Sequence, residues 1–264
     1  MTADDPIPGI LQALNARAGA HWLLLFDFDG TLVDIVTSPD GGTISDTTHG
    51  LLDALVERDD CTVGIVSGRE IAELQQRTAL GERAWLAGAH GFEIEGPGGA
   101  FVHPAIDEAR DAFISVASQM RRELPRFPGV AVERKRAALV LHTLSVEPQV
   151  GAAARARFVE IAQPFLAAQR VRLHAGRVAC ELLAPADWHK GHAVHWIRSQ
   201  VVARHGQALV TLYVGDDVTD EDAFGALGAG DVAIAVGDRP SQAPFRVSDP
   251  SHVQQLLRAL VDAR

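Results

Sequence analysis

Two carboxylates close an apolar run: Leu23-Leu24-Leu25-Phe26 leads into Asp27-Phe28-Asp29-Gly30-Thr31. Residues 23–28 read as a strand buried on both faces, and at a period of two Asp27 and Asp29 start on the same side. Like charges in an apolar setting repel each other and lose their hydration, so a positive partner is required there: a metal ion, a lysine, or both. Gly30 lets the backbone turn sharply where a ligand approaches. The plainer alternative is that Asp29-Gly30 merely ends a strand in a turn.

A second acidic strand end is Tyr213-Val214-Gly215-Asp216-Asp217-Val218-Thr219-Asp220-Glu221-Asp222. Hard divalent cations such as Mg²⁺ take oxygen ligands, often a carboxylate together with a substrate phosphate. Asp216 and Asp217, facing Asp27 and Asp29, would suit one. Thr219 with Asp222 reads as a helix N-cap, which accounts for Asp220 to Asp222 but not for Asp216 and Asp217. The spacing argues against a calcium-binding helix–loop–helix, because the glycine and distal glutamate are absent at the required positions.

Two more segments join these. In Ile65-Val66-Ser67-Gly68-Arg69 a hydroxyl, a glycine N–H and a helix start combine into an anion pocket; the alternative is an ordinary helix cap. In Trp188-His189-Lys190-Gly191 the lysine opens a helix, where it opposes the dipole and needs a nearby acid or phosphate unless it is simply solvated.

The elements that position these residues alternate in type. Strands are expected at 23–28, 62–66 and 85–87, with helices around 51–56, opening near Ser45 or Asp46, and over 70–78. This rhythm implies a parallel, doubly wound sheet. Residues 95–99 read as a turn or linker. Two helices (107–124 and 148–168) and four strands (130–133, 138–144, 171–174 and 178–183) then suggest a separate α+β unit, which Pro185-Ala186-Asp187 closes. The first rhythm returns with a helix over 191–205, a strand at 209–214, a helix from Asp220 and a strand at 232–236. All four chemical segments lie at or just beyond strand carboxyl ends, the edge that lines the ligand crevice in open α/β sheets.

Composition narrows the class. The chain has 264 residues, 24 basic and 34 acidic, for a net charge of −10. This argues against a nucleic-acid binder but allows a phosphorylated substrate in a locally basic cleft. Two cysteines, Cys61 and Cys180, in apolar strands fit a reduced, cytoplasmic protein. The acidic N-terminus is not a signal peptide, and no apolar run is long enough for a membrane span.

With these pieces in order, the chain resembles the haloacid dehalogenase superfamily of phosphatases: a DxDGT strand end, a serine after the second motif strand, a lysine after the cap and a GDD-type acidic end. The resemblance implies a Rossmann-like parallel-sheet core at 1–104 and 185–264, with an inserted α+β cap of the C2B type at 105–184. More narrowly, the chain is similar to trehalose-6-phosphate phosphatases. This rests on Val66–Arg69, Gly88-Ala89-His90-Gly91-Phe92-Glu93, Val132-Glu133-Arg134-Lys135 followed by His142, Gly176-Arg177-Val178 with Glu181, and Gly215–Phe224. It departs where Thr143 and Leu144 replace an aromatic and an arginine, and where Leu183 replaces an arginine with Ala184 before Pro185.

The resemblance implies a Mg²⁺-dependent sugar-phosphate phosphatase, with trehalose 6-phosphate as the small-molecule substrate. Asp27 would be the nucleophile that becomes an aspartyl-phosphate, and Asp29 the acid and then the base. Asp27, the Asp29 carbonyl and Asp216 would hold Mg²⁺, with Asp217 or Asp220 in support. Ser67 and Lys190 would hold the phosphoryl oxygens. Gly68, Arg69, His90 and Glu93 from the core, and Glu133, Lys135, His142 and Glu181 from the cap, would bind substrate, with the cap closing over it. Two plainer readings stand beside this: Glu133 to Arg136 as a solvated charge run, and His142 as a core histidine. The altered positions keep open another sugar phosphate, such as a glycosyl-glycerate, sucrose or hexose phosphate. A non-catalytic phosphate sensor is the remaining alternative.

Overall fold

The structure, a computed structural model, describes residues 5–35, 42–143, 146–175, 179–206 and 208–263. The expectations resting on Leu144, on Gly176-Arg177-Val178 and on residues 1–4 lie outside the described residues. The chain divides into two compact units, Met1–Phe101 with Trp188–Arg264, and Val102–Asp187.

The first unit runs α1 (Ile7–Asn15), β1 (His21–Phe26), α2 (Asp46–Val56), β2 (Cys61–Val66), α3 (Ile71–Thr78), β3 (Trp85–Gly88), β4 (Glu93–Gly96) and β5 (Gly99–Val102). The second contributes α4 (Ala105–Glu123), β6 (Ala131–Arg134), β7 (Ala138–His142), α5 (Pro148–Ala167), β8 (Arg172–Ala175) and β9 (Ala179–Leu183). The first unit resumes with α6 (Lys190–His205), β10 (Leu209–Gly215), α7 (Asp220–Gly225), β11 (Val232–Val236), β12 (Phe245–Val247) and α8 (Pro250–Asp262).

The first unit holds an eight-stranded sheet in the order β12-β11-β10-β1-β2-β3-β4-β5. The strands from β12 to β3 are parallel, and β4 turns antiparallel to β3. The chain moves from β1 outward to β2 and β3, then returns on the other flank of β1 through β10. The strand order therefore reverses between β1 and β10, where a crevice opens at the carboxyl ends.

β1 is buried along its whole length. Apolar–polar alternation is absent because both faces are covered: Trp22, Leu24 and Phe26 pack among residues of α1, α2 and α8, while Leu23 and Leu25 pack among residues of α6 and α7. A strand covered by helices on both faces must be apolar at every position, which is why the run is unbroken until Asp27.

β1 ends two residues earlier than the apolar run. The carbonyl of Phe28 accepts the N–H groups of Thr31, Leu32 and Val33, which folds the segment after Asp27 into a tight turn. Gly30 takes φ +78° there, in the left-handed region. Of the two readings of 95–99, turn or linker, the structure shows the turn: it joins two strands, β4 and β5, with Gly98 at φ +93° between them. A Pro97-Gly98 pair suits such a turn as well as it suits a linker. Helices α1 and α8 and strand β12 are additional to the sequence reading; α8 opens at Asp249, whose side chain accepts the His252 N–H.

The second unit is a four-stranded antiparallel sheet, β6-β7-β9-β8, with α4 and α5 packed against each other. Leu139, Leu141, Cys180 and Leu182 share its buried face. By register the opposite face carries Glu133, Val140, His142, Glu181 and His174.

Candidate active site

Three carboxylates from two strand ends meet at the reversal point. Asp27, Asp216 and Asp220 each place an oxygen within 4.8 Å of the others. Asp27 stays in line with the sheet through its N–H, which donates to the Val214 carbonyl at 2.8 Å. Lys190 is the first residue of α6, whose N-cap is His189; the His189 Nδ1 accepts the Gly191 N–H. This start aims the ammonium inward. Lys190 Nζ donates to Asp27 Oδ1 at 2.7 Å and to Asp220 Oδ1 at 2.8 Å. All three side chains are almost wholly buried.

Glycines make the convergence possible. A Cβ on Gly30 would lie 2.2 Å from Asp216 Oδ2, and one on Gly215 would lie 2.2 Å from the Asp220 carboxyl carbon. The Thr31 hydroxyl donates to Asp216 Oδ1 at 3.4 Å, a second tie between the turn after β1 and the loop after β10.

Electrostatics follow from this packing. Burial pushes the Asp27 carboxyl up to about 8, with Lys190 pulling it down and Asp220 adding to the rise. Burial and then the charge of Asp220 raise Asp216 as well. Burial alone would lower Lys190, but Asp27 and Asp220 outweigh it and hold the ammonium protonated. One ammonium cannot offset three carboxyl groups if all ionise in a buried space, so the cluster needs further positive charge to hold them ionised.

The donor set fits a hard divalent cation: all oxygen, anionic, and converging. Asp220 is largely engaged by other partners. Its Oδ1 accepts from Lys190 and from the Tyr213 hydroxyl at 2.8 Å, and its Oδ2 accepts the Asp217 N–H at 2.9 Å. Asp27 and Asp216 keep free lone pairs, so they are the natural ligands of the three. The Asp217 carboxylate is exposed, outside this cluster, and accepts from the Thr219 hydroxyl. Thr219 does not cap α7 with its side chain, contrary to expectation; its hydroxyl donates to Asp217 Oδ2 instead, and the Asp220 carboxylate turns back onto the Asp217 N–H.

Around the cluster, Ser67 follows β2 and is buried. Its Oγ accepts the Arg69 N–H, and its hydroxyl hydrogen has no protein acceptor among the described residues. Arg69 binds both oxygens of Asp29, Nε to Oδ2 and Nη2 to Oδ1, each at 2.6 Å. The same guanidinium lies 5.5 Å from the Phe28 ring centroid and 3.8 Å from Glu73. Gly68 makes room for His90, since a Cβ there would touch the imidazole at 2.8 Å. The His90 N–H donates to the Ser67 carbonyl and the Ala89 N–H to that of Arg69. Ala89 and His90 both hold positive φ, +49° and +58°, a strained backbone of the kind functional loops retain. Glu93 is buried at the start of β4.

Two participants escaped the sequence reading. Tyr213 lies in a quoted stretch but was given no role there; a polar tip in the middle of a buried strand was the available signal. Arg239 donates through Nε and Nη2 to the carbonyls of Asp216 and Asp217, and pairs with Glu221 at 2.7 Å. It follows β11 at the same sheet edge, which was its signal.

In the second unit, Glu133, His142 and Glu181 share one sheet face. His142 is no core residue: its side chain is 48% exposed and its Nε2 lies 2.7 Å from Glu133 Oε2. Lys135 begins the turn into β7, its N–H donating to the Ala138 carbonyl. Thr143 is buried and accepts two hydrogen bonds from Arg155.

A parallel sheet with acids at the ends of β1 and β10, a lysine opening α6 and an inserted α+β unit define a haloacid dehalogenase-type fold with a cap domain. Solved structures of that kind align with the chain. A trehalose-6-phosphate phosphatase related protein is 27% identical, with TM-score 0.74, over 91% of this chain and 97% of that one. The C. albicans trehalose-6-phosphate phosphatase C-terminal domain, at 24% identity and TM-score 0.70 over 97% of each chain, shares the fold. The trehalose-phosphatase family model matches residues 25–251. The chain belongs to the trehalose-phosphatase family. It is 39% identical over 270 residues to the trehalose-phosphate phosphatase of Mycobacterium marinum, and 36% identical over 268 residues to that of Mycobacterium tuberculosis. Each alignment covers 96% of this chain and 66% of the relative, so the chain spans about two thirds of the length of these curated relatives.

Proposed function

We propose that this chain is a Mg²⁺-dependent phosphatase that hydrolyses trehalose 6-phosphate to trehalose and inorganic phosphate. One observation carries the reading: a buried ammonium, Lys190, is hydrogen-bonded to the carboxylate of Asp27 beside a second free acid, Asp216. A nucleophilic carboxylate facing a phosphate dianion needs such positive charge close by.

In this reading an Asp27 oxygen attacks phosphorus, the bond from phosphorus to the sugar oxygen breaks, and Asp29 gives that oxygen its proton. Asp29 next takes a proton from water, which attacks phosphorus and frees Asp27 and phosphate. In the structure both oxygens of Asp29 accept from Arg69, so one of these bonds has to open for Asp29 to carry the proton that it gives. The Ser67 hydroxyl and Lys190 bind phosphoryl oxygens. Asp27 and Asp216 would hold the Mg²⁺, with Asp220 beside them; the ion's charge there would offset that of the two anions that must meet. Gly68, His90 and Glu93 line the same edge of the sheet. For the sugar, Glu133, Lys135, His142 and Glu181 are the proposed hydroxyl partners, three of them on one sheet face. Free, buried Cys61 and Cys180 favour the cytoplasm. Among the described residues no helix is long and apolar enough to cross a membrane.

The test is phosphate release with Mg²⁺ from a panel of trehalose 6-phosphate, sucrose 6-phosphate, a glucosyl-glycerate phosphate and glucose 6-phosphate, scored by kcat/KM. Trehalose 6-phosphate should lead, and Asp27→Asn should abolish release while leaving the fold intact. A different leader would reassign the sugar, and turnover surviving in Asp27→Asn would end the mechanism.

A further inference from the structure

Tyr213 is the only tyrosine of the chain and lies wholly buried in β10. The reaction outlined above does not use it. Its ring packs edge-on to Phe224 at 5.7 Å, and its hydroxyl donates to Asp220 Oδ1 at 2.8 Å. That oxygen also accepts from Lys190 Nζ, which in turn donates to Asp27 Oδ1. A continuous line of hydrogen bonds therefore runs Tyr213, Asp220, Lys190, Asp27, with every member buried.

We infer that Tyr213 is a positioning residue: through Asp220 it sets where the Lys190 ammonium stands relative to the nucleophile. The physical reason is competition for one cation. Lys190 is shared by two carboxylates, and an Asp220 lacking other donors would draw the ammonium away from Asp27. The Tyr213 hydroxyl and the Asp217 N–H satisfy part of the Asp220 charge from the far side. They also lock its rotamer, against which Gly215 leaves room for no side chain of its own. Lys190 then divides between Asp27 and Asp220 at nearly equal distances, and keeps a third N–H for an incoming phosphoryl oxygen. The inference rests on the proposed phosphatase reading for its effect on rate, though not for the linkage itself.

Tyr213→Phe keeps the ring and removes only the hydroxyl. It should lower kcat about tenfold, less than the loss of a donor touching the reacting atoms, and leave KM within about twofold. The loss should vanish in a Lys190→Met background, because the two residues act in one line. Unchanged kcat, or a loss that adds fully to that of Lys190→Met, would overturn the inference. A second measurement needs neither turnover nor a folded Tyr213→Phe. Labelling the ring carbon that bears the hydroxyl gives a single ¹³C resonance in the substrate-free chain. That resonance should move in Lys190→Met and in Lys190→Gln; a resonance that stays put in both refutes the linkage. Because it is read without substrate, it stands even where Asp27→Asn retains turnover, so failure of the linkage and failure of the phosphatase reading are separately visible.

Discussion

Gly30→Ala tests the convergence of the two acidic strand ends most directly. An added Cβ would lie 2.2, 2.4 and 2.7 Å from the three carboxyl atoms of Asp216, and Gly30 holds φ +78°. Two costs follow. Left-handed backbone in a residue with a Cβ costs about 1–2 kcal/mol, a melting point lower by a few degrees. Restoring ordinary contact also moves the Asp216 oxygen back by about 1 Å, far enough to cost on the order of 100-fold in rate. It would also strain the 3.4 Å bond from Thr31 and displace a proposed ligand, weakening Mg²⁺ affinity about 10–100-fold. Gly19→Ala separates the two costs: Gly19 has φ +73° but nothing within 4 Å of its Cβ position. Melting curves, Mg²⁺ titrations of phosphate release and kcat should be measured for both variants. Both should lose a few degrees, Gly30→Ala the more because of its clash, and only Gly30→Ala should lose Mg²⁺ affinity and rate. Equal Mg²⁺ requirements and equal kcat in the two would refute the account of how Asp216 is placed.

The other predictions concern charge. Lys190→Met should lower kcat about 10²–10³-fold, and the Asp27 carboxyl, which burial pushes up to about 8 even with Lys190 beside it, should ionise only at higher pH in that variant, visible by infrared difference spectroscopy of the carboxyl stretch across a pH series. Removing divalent ions with EDTA should stop phosphate release and added Mg²⁺ should restore it; full activity after chelation contradicts the proposed ligand role of Asp27 and Asp216. Asp249 caps α8, and hydrogen bonds from Ser251, Ser248 and the His252 N–H lower its carboxyl to about 2. A folded-state value below the unfolded one gives stability that is complete above the unfolded value of 3.8 and is lost as pH falls through about 2. Asp249→Ala should therefore cost about 1 kcal/mol near neutrality and less toward pH 2, read from urea melts across that range.

The chemistry of this protein is written locally. Asp27, Asp29, Gly30, Asp216 and Lys190 stand next to apolar runs or helix starts, and short-range rules suffice to read them as strand-end acids and a helix-opening lysine. The parallel sheet is legible for the same reason: strands covered on both faces must be apolar throughout, and β1 and β11 carry that signal within their own residues. The inserted unit announces itself by a change of rhythm. What the tertiary structure alone decides is partnership. That Arg69 holds Asp29, that Lys190 is shared between Asp27 and Asp220, and that Arg239 braces the carbonyls of Asp216 and Asp217 all depend on contacts between residues far apart in the chain. Local pattern records which face a residue occupies and which chemistry it carries. It does not record which distant group meets it, because that is set by strand order and register, and only the packed sheet brings β1, β10 and the start of α6 to one point.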